Sequence, residues 1–206
     1  MKDVNVLMAG VGGQGVVLAS DTMSETGMNS GYDVKKSDSL GMAQRGGGVV
    51  SHVRWGKRVF SPMAKKGEID FLLGFEQLEG ARWAPYLKHG GVAIIADVVI
   101  VPVSVIGSTT AYPNCDEIKG ILAQYTDEIY LIPATRIGRE VGNPRALNMV
   151  MLGSLSVFLE LEAEAWIENI RSRLQPQFVE SSLEAFSRGA IEAKAMRLAR
   201  VVKNDS

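Results

Sequence analysis

Two glycine-rich segments hold the residues best suited to meet a ligand. The first is Gly10-Val11-Gly12-Gly13-Gln14-Gly15, between an apolar run from Val4 to Ala9 and a helical pattern from Val16 to Met28. Glycine tolerates positive φ and lets a backbone come close to a bound group. A helix start adds N–H groups and the positive end of a dipole, which together favour an anion such as phosphate. Gly10, Gly12 and Gly15 satisfy the spacing of the dinucleotide fingerprint. That fingerprint also wants an acid after the second strand to hold a ribose. Asp33 has about the right offset but falls at the strand's start, and Asp38 falls at its end but late. Two readings stay open: a nucleotide-type ligand, or glycines that only permit a tight strand-to-helix turn. Gln14 brings an amide that can both donate and accept at the helix start.

The second segment runs from Ser37 to Gly48 and contains Ser39, Gln44, Arg45, Gly46 and Gly47. It is a dense polar loop between two strand patterns, and such loops carry function because the sheet positions them. Arg45 has the fork geometry to clamp a carboxylate or phosphate. A solvated loop with Arg45 in a surface ion pair explains the residues equally well.

Other candidates are sparse. Cys115 is the only cysteine of 206 residues, which excludes a disulfide framework and any cluster or zinc site needing several thiolates from this chain. Cys115 at a helix start is read as an inert thiol. Of the two histidines, His52 alternates with apolar neighbours and is expected to be structural, and His89 belongs to a loop. Asp97 is a turn residue or a group at the sheet's carboxyl edge, and Asn143 is a helix cap. No nucleophile, base and orienting group occur together. The net charge of −1 shows no basic excess, so neither nucleic acid nor an anionic membrane surface is expected. The most apolar stretch, Ala146 to Leu161, is shorter than the roughly 20 residues a bilayer needs. It reads as a buried helix thinned by Gly153, Ser154 and Ser156 so that another element can approach. No signal peptide is expected before Val4, and a cytoplasmic protein is.

The elements that must hold these loops follow from periodicity. Strand patterns are expected at 4–9, 32–37, 69–75, 92–96 and 128–132, with helices at 16–28, 76–87, 116–125, 134–141, 145–161, 162–174 and 178–202. Val49 to Trp55, then Gly56-Lys57 and Arg58 to Phe60, predicts an inserted β-hairpin. Val49, Ser51, Val53 and Trp55 would share one face, and Val50, His52 and Arg54 the other. Val98 to Val105, broken by Pro102, fits an edge or a connection. Leu183, Phe186, Ala190 and Ile191 form the packing face of the last helix. The expected fold is an α/β, three-layer Rossmann-like domain with a mixed, mainly parallel sheet, an inserted hairpin and C-terminal helices. It is read as one domain over 1–206, with 162–206 as a helical extension.

Four ordered segments resemble one family. Gly10 to Gly15 resembles the glycine opening of the gamma domain of 2-oxoacid:ferredoxin oxidoreductases. Ser39 to Arg54, with Gln44-Arg45-Gly46-Gly47 and Ser51-His52-Val53-Arg54, resembles that domain's second signature. Asp70 to Glu76 looks like its next strand and helix start, and Gly142 to Met149 with Leu152-Gly153 looks like its late helix. Length and layout are nearest the beta-subunit type of the indolepyruvate oxidoreductases, with gamma subunits for other 2-oxoacids as alternatives. The resemblance implies coenzyme A-dependent oxidative decarboxylation of a 2-oxoacid, with electrons leaving to ferredoxin. It implies that thiamine diphosphate and iron–sulfur clusters sit on larger partner subunits. No cofactor is then firmly bound by this chain alone. Its candidate contacts to coenzyme A are Gly10, Gly12, Gly13, Gln14, Gly15, Ser39, Gln44, Arg45, Gly46 and Gly47. The competing classes are an NAD(P)-binding Rossmann-type module acting alone and a purely structural assembly subunit.

Overall fold

Val4–Val11 forms a central strand, β1, because it is apolar on both faces and can be covered on both. The chain then runs through α1 (Val16–Asn29), β2 (Asp33–Leu40), β3 (Gly48–Gly56), β4 (Ile69–Gly74), α2 (Gln77–Trp83) and a 3₁₀ turn at Ala84–Tyr86. It continues through β5 (Leu87–Ala96), α3 (Cys115–Leu122), β6 (Glu128–Ile132), α4 (Ala134–Glu140), α5 (Leu147–Ser156), α6 (Ala163–Arg173) and α7 (Pro176–Asn204). This computed structural model describes residues 2–40, 47–101 and 111–204. The sheet order is β2-β3-β1-β4-β5-β6. Neighbours from β1 to β6 run parallel, while β3 is antiparallel to both β1 and β2. One face packs against α1 and α4 to α7 through Val6, Met8, Val53 and Trp55. The other packs against α2 and α3 through Leu7, Ala9, Val50 and Leu72. The expected three-layer α/β sandwich with a mixed, mainly parallel sheet is therefore present.

The expected hairpin exists with a different partner. β3 turns back on β2, from Leu40 opposite Val49 to Asp33 opposite Gly56, and it pairs with β1 on its other side. A strand has two hydrogen-bonding edges, so none was left for 58–60. The Val59 N–H instead donates to the Asp33 carboxylate at 2.8 Å, and Phe60 is 84% exposed. The alternation of faces along β3 holds, because Val53 and Trp55 join one core and Val50 the other.

Two helix expectations change, the start of α5 and the outer face of α7. Gly27 lies within α1, where a Cβ would collide with the Trp55 ring, so this glycine lets helix and sheet approach. The end is a Schellman cap on Gly31 at φ 84°, with Tyr32 N–H to Gly27 C=O at 3.1 Å and Gly31 N–H to Met28 C=O at 3.0 Å. Asn143 opens a turn by accepting from the Arg145 N–H at 3.1 Å, and α5 starts only at Leu147. On α7, Phe186 is buried as expected, but Ile191 faces outward at 62% exposure. The segment 98–101 forms no strand, and 102–105 lies outside the described residues.

α5 and α7 meet backbone to backbone. A Cβ on Gly153 would strike the Phe186 carbonyl, one on Gly189 would strike the Val150 carbonyl, and Ser154 Oγ donates to Gly189 O at 3.1 Å. Small residues on both helices make this crossing possible. No helix among the described residues is long and apolar enough to cross a membrane. Gly189→Ala is expected to destabilise the protein by about 1–3 kcal/mol or more through overpacking. Gly120→Ala, where nothing lies within 4 Å, should instead gain about 0.5–1 kcal/mol. Urea midpoints of the two variants, compared with wild type, check the contrast.

Candidate functional site

The carboxyl ends of β1, β4, β5 and β6 lie along one edge of the sheet, where ligands of open α/β folds collect. The glycine turn sits there, on the exit from β1. Gly13 at φ 100° and Gly15 at φ 77° occupy the region that suits glycine, and Gly15 is the N-cap of α1 with no side-chain cap. Gly12 and Gly13 are exposed, and a Cβ on Gly13 would meet nothing within 4 Å. Gly10 is different. A Cβ there would lie 2.8 Å from Phe75 Cβ and 2.9 Å from Val16 Cγ2, so its glycine serves packing.

Gln14 turns inward. Its Oε1 accepts from the Val11 N–H at 2.7 Å, and its Nε2 donates to Phe75 C=O at 2.8 Å. Both ends of the amide are used to tie the exit of β1 to the exit of β4. The Phe75 N–H closes the same junction on Ala9 C=O at 2.7 Å. Gly12 N–H reaches Gly47 C=O at 3.0 Å, which brings the second glycine segment against the first. Asn148 of α5 lies so close to Gly15 that a Cβ on the glycine would sit 2.8 Å from its Nδ2. Three segments distant in sequence therefore converge on this turn. Ser39 lies exposed near the end of β2, opposite Val50. Gln44, Arg45 and Gly46 lie outside the described residues.

Beside the turn is a carboxylate pair that sequence reasoning missed. Glu76 is 1% exposed and caps α2, its Oε2 accepting from Glu79 N–H at 2.8 Å. Its Oε1 accepts from the Ile100 N–H at 3.1 Å and from the Tyr112 hydroxyl, so one carboxylate holds both flanks of the β5–α3 connection. Burial and this carboxylate push the Tyr112 phenol well above its ordinary value. Glu79 is buried next to Gly48 and paired with Arg82, and burial pushes its carboxyl up. Glu79 and Arg82 form an i,i+3 pair inside one helix, but Tyr112 lies 36 residues from Glu76, a pairing no local pattern announces.

Neither ribose acid is available. Asp33, at the far end of β2, is bound by Lys35 and the Val59 N–H. Asp38 accepts from Ser51 Oγ at 2.6 Å and pairs with Lys36 at 2.7 Å. With β3 between them, β2 lies about 9–10 Å from β1, twice the usual spacing. His52 is 2% exposed and wedged against Trp83 and Tyr86, so it is structural. Asp97 accepts from the Thr135 N–H at 2.9 Å at the start of α4, which makes it a turn residue. Cys115 is exposed. Among the described residues no group of His, Cys, Asp and Glu is placed to hold a metal ion.

This is an α/β domain that sets a glycine turn and a buried carboxylate at the carboxyl edge of its sheet, without a thiolate cluster or a catalytic set among its described residues. The chain belongs to the pyruvate ferredoxin/flavodoxin oxidoreductase family, whose profile matches residues 5–192. It is 34% identical over 199 residues to the indolepyruvate oxidoreductase subunit IorB of Pyrococcus horikoshii, covering 95% of this chain and 98% of that one. It is 27% identical to the ketoisovalerate oxidoreductase subunit VorA of Methanothermobacter marburgensis over 82% of this chain but 32% of that one. The fold is shared with the gamma subunit of a keto/oxoacid ferredoxin oxidoreductase from Geobacter sulfurreducens PCA. There the TM-score is 0.72 at 24% identity, over 95% of this chain and 98% of that one. It is also shared with 32% of the chain of a 2-oxoglutarate:ferredoxin oxidoreductase from Magnetococcus marinus, at TM-score 0.72 and 20% identity over 95% of this chain.

Two outcomes follow. Gln14→Glu keeps the acceptor for Val11 but sets a carboxylate against Phe75 C=O, so it should cost about 1–3 kcal/mol at neutral pH. Acidification should recover part of that loss, since the protonated acid can donate; chemical denaturation at two pH values checks it. Burial, and secondarily Arg54, lowers the His52 pKa below 6.5, so the unfolded state takes up the proton first. The stability tied to His52 is full above pH 6.5 and is lost as pH falls through the lowered value. Replacing His52→Gln should flatten the wild-type decline in melting temperature over that acidic window.

Proposed function

We propose that this chain is the small, cluster-free subunit of a 2-oxoacid:ferredoxin oxidoreductase of the indolepyruvate type. The observation that carries the reading is end-to-end similarity to an indolepyruvate oxidoreductase subunit. The reaction is the coenzyme A-dependent oxidative decarboxylation of an aryl 2-oxoacid. Thiamine diphosphate and iron–sulfur clusters belong to a larger partner chain, which supplies the carbanion chemistry and the electron path to ferredoxin. One exposed cysteine fits that division, because a cluster needs several thiolates. The complex works in the cytoplasm.

Within it, the glycine edge takes an anionic part of coenzyme A. Gly13 is exposed and Gly15 half-buried at the uncapped start of α1, where a phosphate is favoured, and Gly12 is exposed beside them with its N–H on Gly47. Gly10 and Gln14 hold that turn in shape, and Gly47 backs it. Ser39, Gln44, Arg45 and Gly46 are further contacts in this reading, with the Arg45 guanidinium suited to clamp a phosphate. Residues 162–206 are part of the same domain, since Trp166 and Phe186 share a core with Val6 and Met8. The NAD(P) alternative is disfavoured by the engaged Asp33 and Asp38.

Co-expression with the larger chain should yield aryl 2-oxoacid-dependent ferredoxin reduction that neither chain shows alone. Full turnover by the larger chain alone would overturn the reading. In the complex, Gly13→Asp sets a negative charge at the turn and should raise the coenzyme A KM at least about tenfold with kcat retained, while the neutral Gly13→Asn, strained alike at φ 100°, should raise it far less. An unchanged KM would move coenzyme A elsewhere.

A further inference from the structure

A cavity of about 240 Å³ lies at the other edge of the sheet, where β1, β4 and β5 begin, beneath the connection from α5 to α6. Four of its lining side chains are aromatic. Tyr32 stacks on Trp55 at 5.4 Å between centroids, and Phe71 and Phe158 lie 6.1 Å apart. Its lining carries both signs of charge in equal number. Lys2, Lys88 and Arg197 are matched by Asp3, Asp70 and Glu160, and Lys88 is paired with Asp70. Arg197 covers the Phe158 ring at 5.3 Å and donates to Val157 C=O at 3.0 Å, which fixes a guanidinium at the mouth. Trp55 itself is only 2% exposed, and its indole N–H is buried with no acceptor among the described residues. A stranded buried donor of this kind costs about 1–3 kcal/mol. No contact of the glycine edge uses these residues.

We propose that this cavity binds a free aromatic amino acid as a zwitterion. The volume lies below the roughly 300–1,000 Å³ of drug-sized pockets, and it suits one ring system rather than a nucleotide. Aromatic walls take the ring in offset or edge-on contact. The mixed lining sets the head group: a ligand with one charge would face as many like charges as opposite ones, whereas an ammonium and a carboxylate together can each find a partner. The site is separated from the glycine edge by the length of the strands, so its occupant is an effector and not the reacting molecule. The assignment stands apart from the identity of the partner chain.

The full chain is titrated with L-phenylalanine while the three indole N–H resonances are followed by NMR, assigned through tryptophan-to-phenylalanine variants. The Trp55 resonance should shift saturably, and Trp83, which packs on the opposite face of the sheet, should not move. Arg197→Gln and Lys88→Gln alter exposed or half-exposed side chains and should weaken binding about tenfold or more. Phenylacetate and phenethylamine, each with one charge, should bind about tenfold more weakly than the amino acid. No saturable shift up to about 10 mM would overturn the proposal. Unchanged affinity in both variants, or equal binding of a one-charge compound, would overturn it as well.

Discussion

One side-chain amide fixes the geometry of the glycine turn at the carboxyl edge of the sheet. Gln14 accepts from Val11 and donates to Phe75, so the ends of two parallel strands are joined at the point where the chain must turn into α1. Without it, a turn of three glycines out of four residues from Gly12 would have no reason to keep one conformation, because glycine gains its freedom at an entropic cost. The close fit of Gly10 against Phe75 and Val16 leaves room for this amide and for nothing larger. The turn is thus a rigid feature held from beneath, with exposed backbone only on its outer side. That is the form a preorganised anion site takes, since the donors need not be ordered when the ligand arrives.

The insertion of β3 between β1 and β2 then changes what the familiar glycine spacing can mean. In a dinucleotide fold the acid that holds the ribose follows a strand adjacent to the first. Here the adjacent strand is antiparallel, and the second parallel strand stands one place further out. The space beside the glycine turn is filled by the approach of Gly47 instead of by a ribose acid. Spacing alone could not separate these cases, because the fingerprint records the local turn and not the strand beside it.

Legibility in the sequence followed the range of the interaction. β1, β4 and β6 and the start of α1 were readable because apolar runs and glycines specify them locally. The thinning of α5 by Gly153 and Ser154 was readable too, as an invitation to close packing that α7 takes up. The partner of β3 was not, because the turn signal at Gly56-Lys57 is local and the competing pairings with β1 and β2 are not. The convergence of Gly47, Phe75 and Asn148 on the glycine turn was not readable, because each contact joins residues far apart in the chain. Glu76 was visible as a helix start, but its hold on Ile100 and Tyr112 depends on chain closure over a long connection.

α1 links the two edges of the sheet. Its first residue adjoins the glycine turn, and at its other end Gly27 packs on the Trp55 that walls the aromatic cavity. Fourteen helical residues span about 21 Å, so one rigid rod reaches from one edge to the other. Its buried hydroxyls are satisfied on its own backbone, as with Thr22 to Leu18 C=O and Ser24 to Ser20 C=O. Asn169 of α6 bonds both Thr22 C=O and Thr26 Oγ1, which locks the rod to the C-terminal helices. A change at the cavity that moves Trp55 must therefore either displace this rod or be absorbed at Gly27, where no side chain stands between helix and ring. Because packed interiors shift as units and deform little, displacement of the rod is the physical route by which an occupant of one edge would be felt at the other.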